Sequence, residues 1–321
     1  MDKTKPMIQV ENVTKKFSKD QAPSVDNVSF TAYAGEFVTI LGTSGSGKTT
    51  LMKMINRLYE PTSGQIFVDG QNTHAQNVDK LRQGIGYVIQ QHGLFEHRTV
   101  AQNIATVCNI LKWDKRKTQK RVDEMLTLVQ LEPDKYKGRH PHQLSGGEQQ
   151  RVGIARALAA DPKILLMDEP FGAIDAINRT LLQNALLNIQ RQTQKTIIFV
   201  THDIDEALKL GDRTMLIKDG RIQQFASKNE LFLKPSNDFV AEFLGVKQRL
   251  AQWRYLNAGA LVTDWQAAQS DAAAAVSADT ILADVIAILL KNPERPVTVL
   301  DKDKARVGHI HYQQIANLME A

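Results

Sequence analysis

The chain has 321 residues, more than one typical domain, with 42% hydrophobic and 23% charged residues, a balance that allows a substantial core. Its net charge of +5 comes from 40 basic and 35 acidic side chains dispersed along the chain, with no basic tail or stripe to mark a nucleic-acid surface. A single cysteine, Cys108 in the apolar run IATVCNIL, excludes an internal disulfide framework and reads as a small buried hydrophobe. The first residues lack the apolar core of a signal peptide, and no apolar run reaches the ~18 residues that a membrane helix requires. The expectation is a cytoplasmic protein whose membrane partner, if it has one, is another chain.

In chain order, Met7 to Val13 and Val28 to Ala34 read as strands. Phe37 to Leu41 (FVTIL) is a buried parallel strand that stops at Gly42. A glycine loop follows, and TTLMKMINRL then repeats apolar residues at helical spacing through Leu51, Met54, Ile55 and Leu58. PTSG and VDG mark turns between short strands. From about 95 to 160 the pattern is helical, with Val122, Met125, Leu126 and Val129 forming one stripe. KILLM and TIIFV are two more buried strands, each ending at polar residues. Apolar strands alternating with helices predict an α/β core whose functional groups gather at the carboxyl ends of the strands.

Beyond Gly245 the pattern weakens, and 246–275 reads as a linker, with an alanine run at 272–275 that fits linker or helix. Order returns over 276–321. Ile281, Val285, Ile288 and Leu289 form a helical stripe, Val297 and Val299 alternate as a strand, DKDK turns, VGHIHY is a second strand, and QQIANLM closes as a helix. A unit of this size has little core of its own. His309 and His311 share a strand face, but with no third ligand evident they are read as structural.

The chemistry begins at GTSGSGKTT, residues Gly42, Thr43, Ser44, Gly45, Ser46, Gly47, Lys48, Thr49 and Thr50, which satisfies the G-x-x-x-x-G-K-[ST] spacing. Glycines let the backbone curl so that its amides face phosphate oxygens, and the helix that starts there adds its positive dipole end. Lys48 would charge-pair the β- and γ-phosphates of ATP, and the Thr49 hydroxyl would ligate Mg²⁺. ILLMDEP places Asp168 and Glu169 just past a buried strand. Adjacent carboxylates there are costly without a task, so Asp168 is read as a Mg²⁺ ligand and Glu169 as the residue that polarises the attacking water. A solvated turn is the bland reading of DEP; the phosphate loop upstream favours the catalytic one. His202 in FVTHD also follows an apolar strand. Lone histidines are more often structural, but this position would let it contact the γ-phosphate.

LSGGEQQRVGIARAL, from Leu144 to Leu158, resembles the signature motif of ABC ATPases. Ser145, Gly146, Gly147 and Glu148 open an amphipathic helix whose first amides can face an anion. The resemblance implies that this motif completes the ATP site of a second ATPase subunit, so that two nucleotides lie between two copies in a homodimer. It further implies that Phe17 stacks on adenine, that Gln90 in GYVIQ touches Mg²⁺ and signals to a membrane subunit, and that FGAID, ending at Asp175, is the D-loop, with Ile174 where leucine is usual. The likeness covers about Ile8 to Gly245. It predicts a P-loop NTPase core of ABC ATPase type, with an antiparallel β subdomain and a helical subdomain at about 95–160, in a nucleotide-binding domain over 1–245.

Longer runs resemble the ATPases of osmoprotectant importers: GTSGSGKTTLMKMINRL, RHPHQLSGGEQQRVG, MDEPFGAIDAINR, FVTHDIDEALKLGDR and NDFVAEFLG. That likeness implies import of a quaternary amine such as glycine betaine, choline or carnitine. It implies a separate permease, an extracytoplasmic solute-binding protein acting indirectly, and a peripheral place at the cytoplasmic face of the membrane. GLFEHRTVAQNI (Gly93 to Ile104) fits equally a lining of the groove that receives the permease and a structural turn. The tail, 276–321, resembles a single CBS-type motif, a small α/β unit. The alternatives are an ATPase of another solute importer, a soluble ABC ATPase acting on nucleic acid, and an ATP sensor without turnover. Neither heptad arms nor a second P-loop is present for the nucleic-acid reading, and the intact Glu169 speaks against the sensor.

Overall fold

The computed structural model describes residues 4–89, 93–172, 174–245, 255–264 and 272–315. Contacts divide the chain into two compact units, 1–223 and 224–321, a division that falls ahead of the change in composition at 245.

The first unit begins with strands β1 (Pro6–Lys15), β2 (Val25–Tyr33) and β3 (Phe37–Gly42), then helix α1 (Lys48–Ile55). β4 (Ser63–Val68), β5 (Gln71–Asn72), α2 (Val78–Gln83) and β6 (Ile85–Val88) follow. A helical stretch comprises α3 (Val100–Ile104), α4 (Thr106–Ile110), α5 (Lys115–Leu128), α6 (Pro133–Tyr136) and α7 (Gly146–Leu158). β7 (Ile164–Asp168), α8 (Ala176–Thr193), β8 (Thr196–Thr201), α9 (Ile204–Leu210) and β9 (Arg213–Lys218) complete the run, and β10 (Arg221–Ser227) crosses the boundary at 223.

Two sheets are built from these strands. One is antiparallel, in the order β2-β1-β4-β5. The other has six strands in the order β10-β9-β3-β8-β7-β6, and every pairing from β9 through β6 is parallel. β3, β7 and β8 are buried at every residue, which is why each reads as a continuous apolar run with no alternation. Their order, β3-β8-β7, brings Gly42, Thr201 and Asp168 to one edge of the sheet. β9 turns into β10 through Asp219 and Gly220, both with positive φ (49° and 75°), the pairing that tight hairpins favour.

One apolar cluster runs from the sheet into the helical stretch. Phe171 and Phe199 meet at 5.5 Å in it, and Val122, Met125 and Leu126 of α5, with its C-cap Val129, fill it as their spacing predicts. Each such buried side chain contributes about 1.5–3 kcal/mol. Cys108 lies in the same cluster, and burial pushes its thiol pKa up, as for an inert core residue.

The second unit carries α10 (Lys228–Leu233), α11 (Asp238–Leu244), β11 (Thr263–Asp264), β12 (Ala274–Ser277), α12 (Leu282–Lys291), β13 (Val297–Leu300) and β14 (Arg306–Ile310). Its sheet has the order β11-β14-β13-β12, with β12 parallel to β13 and the other pairs antiparallel. β11 and the start of β12 thus come from residues that read as linker. α12 buries Leu282, Val285 and Leu289, while Ile281 stands 44% exposed as its N-cap, one residue off the stripe expected from the sequence. A helix that is apolar nearly all round does not reveal its inner face by periodicity. QQIANLM is helical over 313–315, in a helix that starts at Tyr312; the rest of it lies outside the described residues. No helix among the described residues is long and apolar enough to cross a membrane.

Candidate functional site

The loop between β3 and α1 lines a cavity of about 490 Å³ through Ser44, Gly45, Ser46, Gly47, Lys48, Thr49 and Thr50. Glu169 and His202 line its far side. Gly47 caps α1 with φ 100°, and a Cβ there would sit 2.1 Å from the Ser24 carbonyl oxygen, so only glycine fits. Gly45, at φ 77°, has open space around it. Lys48 is buried and donates from Nζ to the carbonyls of Gly42 (2.9 Å) and Thr43 (2.8 Å), which stretches the side chain back across its own loop. Burial lowers its pKa, and the charges of Glu169 and Asp168 oppose that shift. The Ser46 hydroxyl is buried in the loop without a hydrogen-bond partner, a feature that an anion in the cradle would satisfy.

Asp168 ends β7 and Glu169 follows it directly. Thr49 Oγ1 donates to Asp168 Oδ1 at 2.9 Å. Asp168 is 5% exposed, and burial raises its pKa against the Thr49 hydrogen bond, with the Glu169 charge adding to the rise. A buried carboxylate beside a hydroxyl is a hard-oxygen donor set that suits Mg²⁺, which takes one or two protein oxygens and completes its shell with phosphate and water. Glu169 adopts a left-handed backbone, φ 42°, while its amide still donates to Val200 O at 3.0 Å. The ladder to β8 therefore holds this bend, and bends of this kind in non-glycine residues cluster at functional sites. His202, one residue past β8, places Nδ1 3.2 Å from Glu169 Oε2 and is largely exposed.

The other expected residues lie elsewhere. Ser145 caps α7 in a capping box: its hydroxyl accepts from the Glu148 amide (3.3 Å), and Glu148 Oε2 accepts from the Ser145 amide (2.7 Å). Glu148 Oε1 also accepts from Tyr136 OH at 2.6 Å. The Gly146 and Gly147 amides are left as the ones that the box does not engage. Asp175 caps α8, accepting from the amide (3.1 Å) and side chain (2.7 Å) of Asn178. Phe17 is 58% exposed and meets Tyr59 edge-on at 5.3 Å, with Lys15 over its ring. None of these lines the cavity of the phosphate loop. Gln90 lies outside the described residues.

The profile of the ABC transporter family matches residues 25–172. The osmoprotectant import ATP-binding protein OsmV of Salmonella typhimurium is 45% identical over 97% of this chain and 81% of its own length. The glycine betaine/carnitine/choline transport ATP-binding protein OpuCA of Bacillus subtilis is 44% identical, over 96% and 79%. The chain belongs to the ABC transporter family.

Within that family it is an ATP-binding, ATP-hydrolysing subunit. The glycine betaine uptake system ATP-binding protein YehX of Escherichia coli, 40% identical, is matched over its full length and over 98% of this chain. A dimeric ATP-binding cassette solved in a post-hydrolysis state with ADP and Pi superposes with a TM-score of 0.62 at 35% identity, covering 69% of this chain and 98% of that one. In this ABC ATPase the phosphate loop, Glu169 and His202 line one cavity, and Asp168 joins them through its hydrogen bond from Thr49.

Ser24 was not legible. It lines the same cavity, donates from Oγ to Thr50 Oγ1 at 3.1 Å and sets its carbonyl against Gly47. A single serine ahead of β2 carries no local signal, and only the packing of the antiparallel sheet on the loop reveals it.

Proposed function

We propose that this ABC ATPase energises import of an osmoprotectant of the quaternary-amine class, such as glycine betaine, choline or carnitine, through a separate membrane permease. The observation that carries the solute class is the likeness to OsmV, OpuCA and YehX over 96–98% of the chain, far beyond the nucleotide motifs. The subunit would sit at the cytoplasmic face of the membrane as a homodimer, with a solute-binding protein acting on the permease from outside. Ile89 and Phe95, 39% and 40% exposed, flank the residues around Gln90 and are our candidates for permease contact. Phe95 is held there between Arg98 (4.8 Å) and Arg156 (5.7 Å). We read the chain as a cassette to 245, a linker over 246–275 that lends strands to its neighbour, and a CBS-like unit over 276–321.

In the hydrolytic step, amides of Gly45 to Thr49 and the Lys48 ammonium bind and orient the phosphates. When held by Thr49 Oγ1 and Asp168, Mg²⁺ supplies positive charge that offsets the negative charge developing on the phosphates. Glu169 orients the attacking water and takes up its proton. His202 holds Glu169 through Nδ1 and presents its outer edge to the γ-phosphate. Phe17 offers its exposed face to adenine, and the Gly146 and Gly147 amides, with Ser145, Glu148 and Asp175, serve the site of the second copy.

The test is uptake of labelled glycine betaine by cells that lack the chromosomal copy. The wild-type chain restores uptake and Lys48→Ala does not. Betaine, choline and carnitine uptake unaffected by deletion would overturn the solute assignment.

A further inference from the structure

His202 is braced by side chains on both sides of it. Thr201 Oγ1 donates to Glu206 Oε2 at 2.7 Å and accepts from the Asp203 amide at 3.0 Å. Asp203 Oδ1 in turn caps α9 by accepting from the Glu206 amide at 3.0 Å. The histidine thus sits in a turn closed by two carboxylates, of which Glu206 is 5% exposed. Burial pushes the Glu206 pKa up, with Asp203 adding to the rise. A buried carboxylate beside a second acid is costly without a cation.

Arg179, on the first turn of α8, supplies that cation. Its Nη1 lies 3.6 Å from Asp203 Oδ2 and its Nε 3.8 Å from Glu206 Oε1. Its Nη2 donates to Ile174 O at 3.0 Å, the carbonyl just before Asp175. The nearby Lys209 is turned to the neutral Gln183, at 2.9 Å. One guanidinium therefore hydrogen-bonds the carbonyl ahead of Asp175 while its charge faces, at 3.6 and 3.8 Å, the two carboxylates of the turn that carries His202, a reach that suits a planar, delocalised cation.

We propose that Arg179 is a positioning residue of the hydrolytic site: by neutralising Asp203 and Glu206 and anchoring Ile174, it sets the turn that aims His202 at Glu169. Arg179 is not among the residues lining the nucleotide cavity, so its loss should act on turnover and leave nucleotide binding alone. The inference rests on Glu169 and His202 being the hydrolytic pair.

The test is steady-state ATPase of the purified full chain. Arg179→Met should lower kcat by about 10- to 100-fold, the range for a misplaced catalytic group, with KM for ATP within about twofold and thermal midpoint near wild type. Adding Glu206→Gln removes the carboxylate left without its cation and should recover part of kcat. Arg179→Lys, which keeps the charge but not the fork, should fall between. The proposal is overturned if Arg179→Met or Arg179→Lys turns over like wild type, if kcat, KM and the midpoint all worsen together, or if Glu206→Gln gives no recovery. Should Arg179→Met not fold, the Arg179→Lys series with and without Glu206→Gln decides on the same readouts. Glu169→Gln measured in parallel separates the two readings. Turnover in that variant sinks the hydrolytic pair itself, whereas its loss beside a fully active Arg179→Met sinks only the role of Arg179.

Discussion

At Glu169 the backbone bends into the left-handed region while its amide stays hydrogen-bonded to Val200, so the side chain is aimed by the sheet and not by a free loop. Glu169→Gln keeps the size and removes the carboxylate proposed as the base. Steady-state ATPase should fall by at least ~100-fold with nucleotide affinity retained, at the upper end of what a general base contributes; turnover at the wild-type rate would remove Glu169 from its role. The loop glycine is equally constrained. Gly47→Ala sets a Cβ 2.1 Å from the Ser24 carbonyl at φ 100°, so ATP binding, measured by calorimetry, should be lost or strongly weakened. The spacing of the motif identifies Gly47, but the reason for glycine there, the Ser24 carbonyl, comes from the residue just ahead of β2, more than twenty positions upstream.

Asp69, in the turn between β4 and β5, joins separate elements. Its carboxylate meets Lys5, ahead of β1, at 2.5 Å and Lys163, ahead of β7, at 2.6 Å. The hydrogen bond from Lys163, then that from Lys5, holds the Asp69 pKa below the usual carboxylate value. A depressed carboxylate pKa contributes stability that is present above the unfolded-state value and lost as pH falls through the folded one. Both lysines are more than half exposed, so solvent screening limits the pairs to about 1 kcal/mol in all. Asp69→Asn should therefore unfold at lower urea at pH 7, and the difference from wild type should shrink as pH drops below about 4. A gap independent of pH would contradict the assignment. At this scale the sequence was uneven. The α5 stripe was legible because charges separate its apolar residues, whereas in α12 nearly every residue is apolar and the inner face had to be found by packing. Ala272 to Ala275 read as linker or helix, yet Ala274 and Ala275 pair with Val297 and Thr298 in a parallel ladder. Alanine has no strand preference of its own, so the neighbouring strand decides.

For the whole molecule, the cavity of one chain gathers the phosphate loop, Glu169 and His202 but not the α7 N-terminus. On the function proposed above, a second copy supplies the α7 amides, and the similar solved cassette is dimeric. Glu169→Gln with ATP and Mg²⁺ should double in mass by light scattering, and with ADP it should remain monomeric. A monomer under both conditions would argue against a site shared between copies.

The sequence by itself determined the chemistry that is contiguous in the chain: the phosphate loop, the acidic pair, the signature helix and the buried strands that end at them. Each is legible because its residues act through neighbours a few positions away, where periodicity and turn chemistry govern. The tertiary structure alone decided what lies between these segments. Thr49 reaches Asp168 across 119 positions because β3 and β7 flank β8. Ser24 reaches the loop through the antiparallel sheet, and Arg179 reaches the His202 turn from another helix. Sheet order and helix packing set those contacts, and no local pattern in a chain encodes which distant strands will lie side by side.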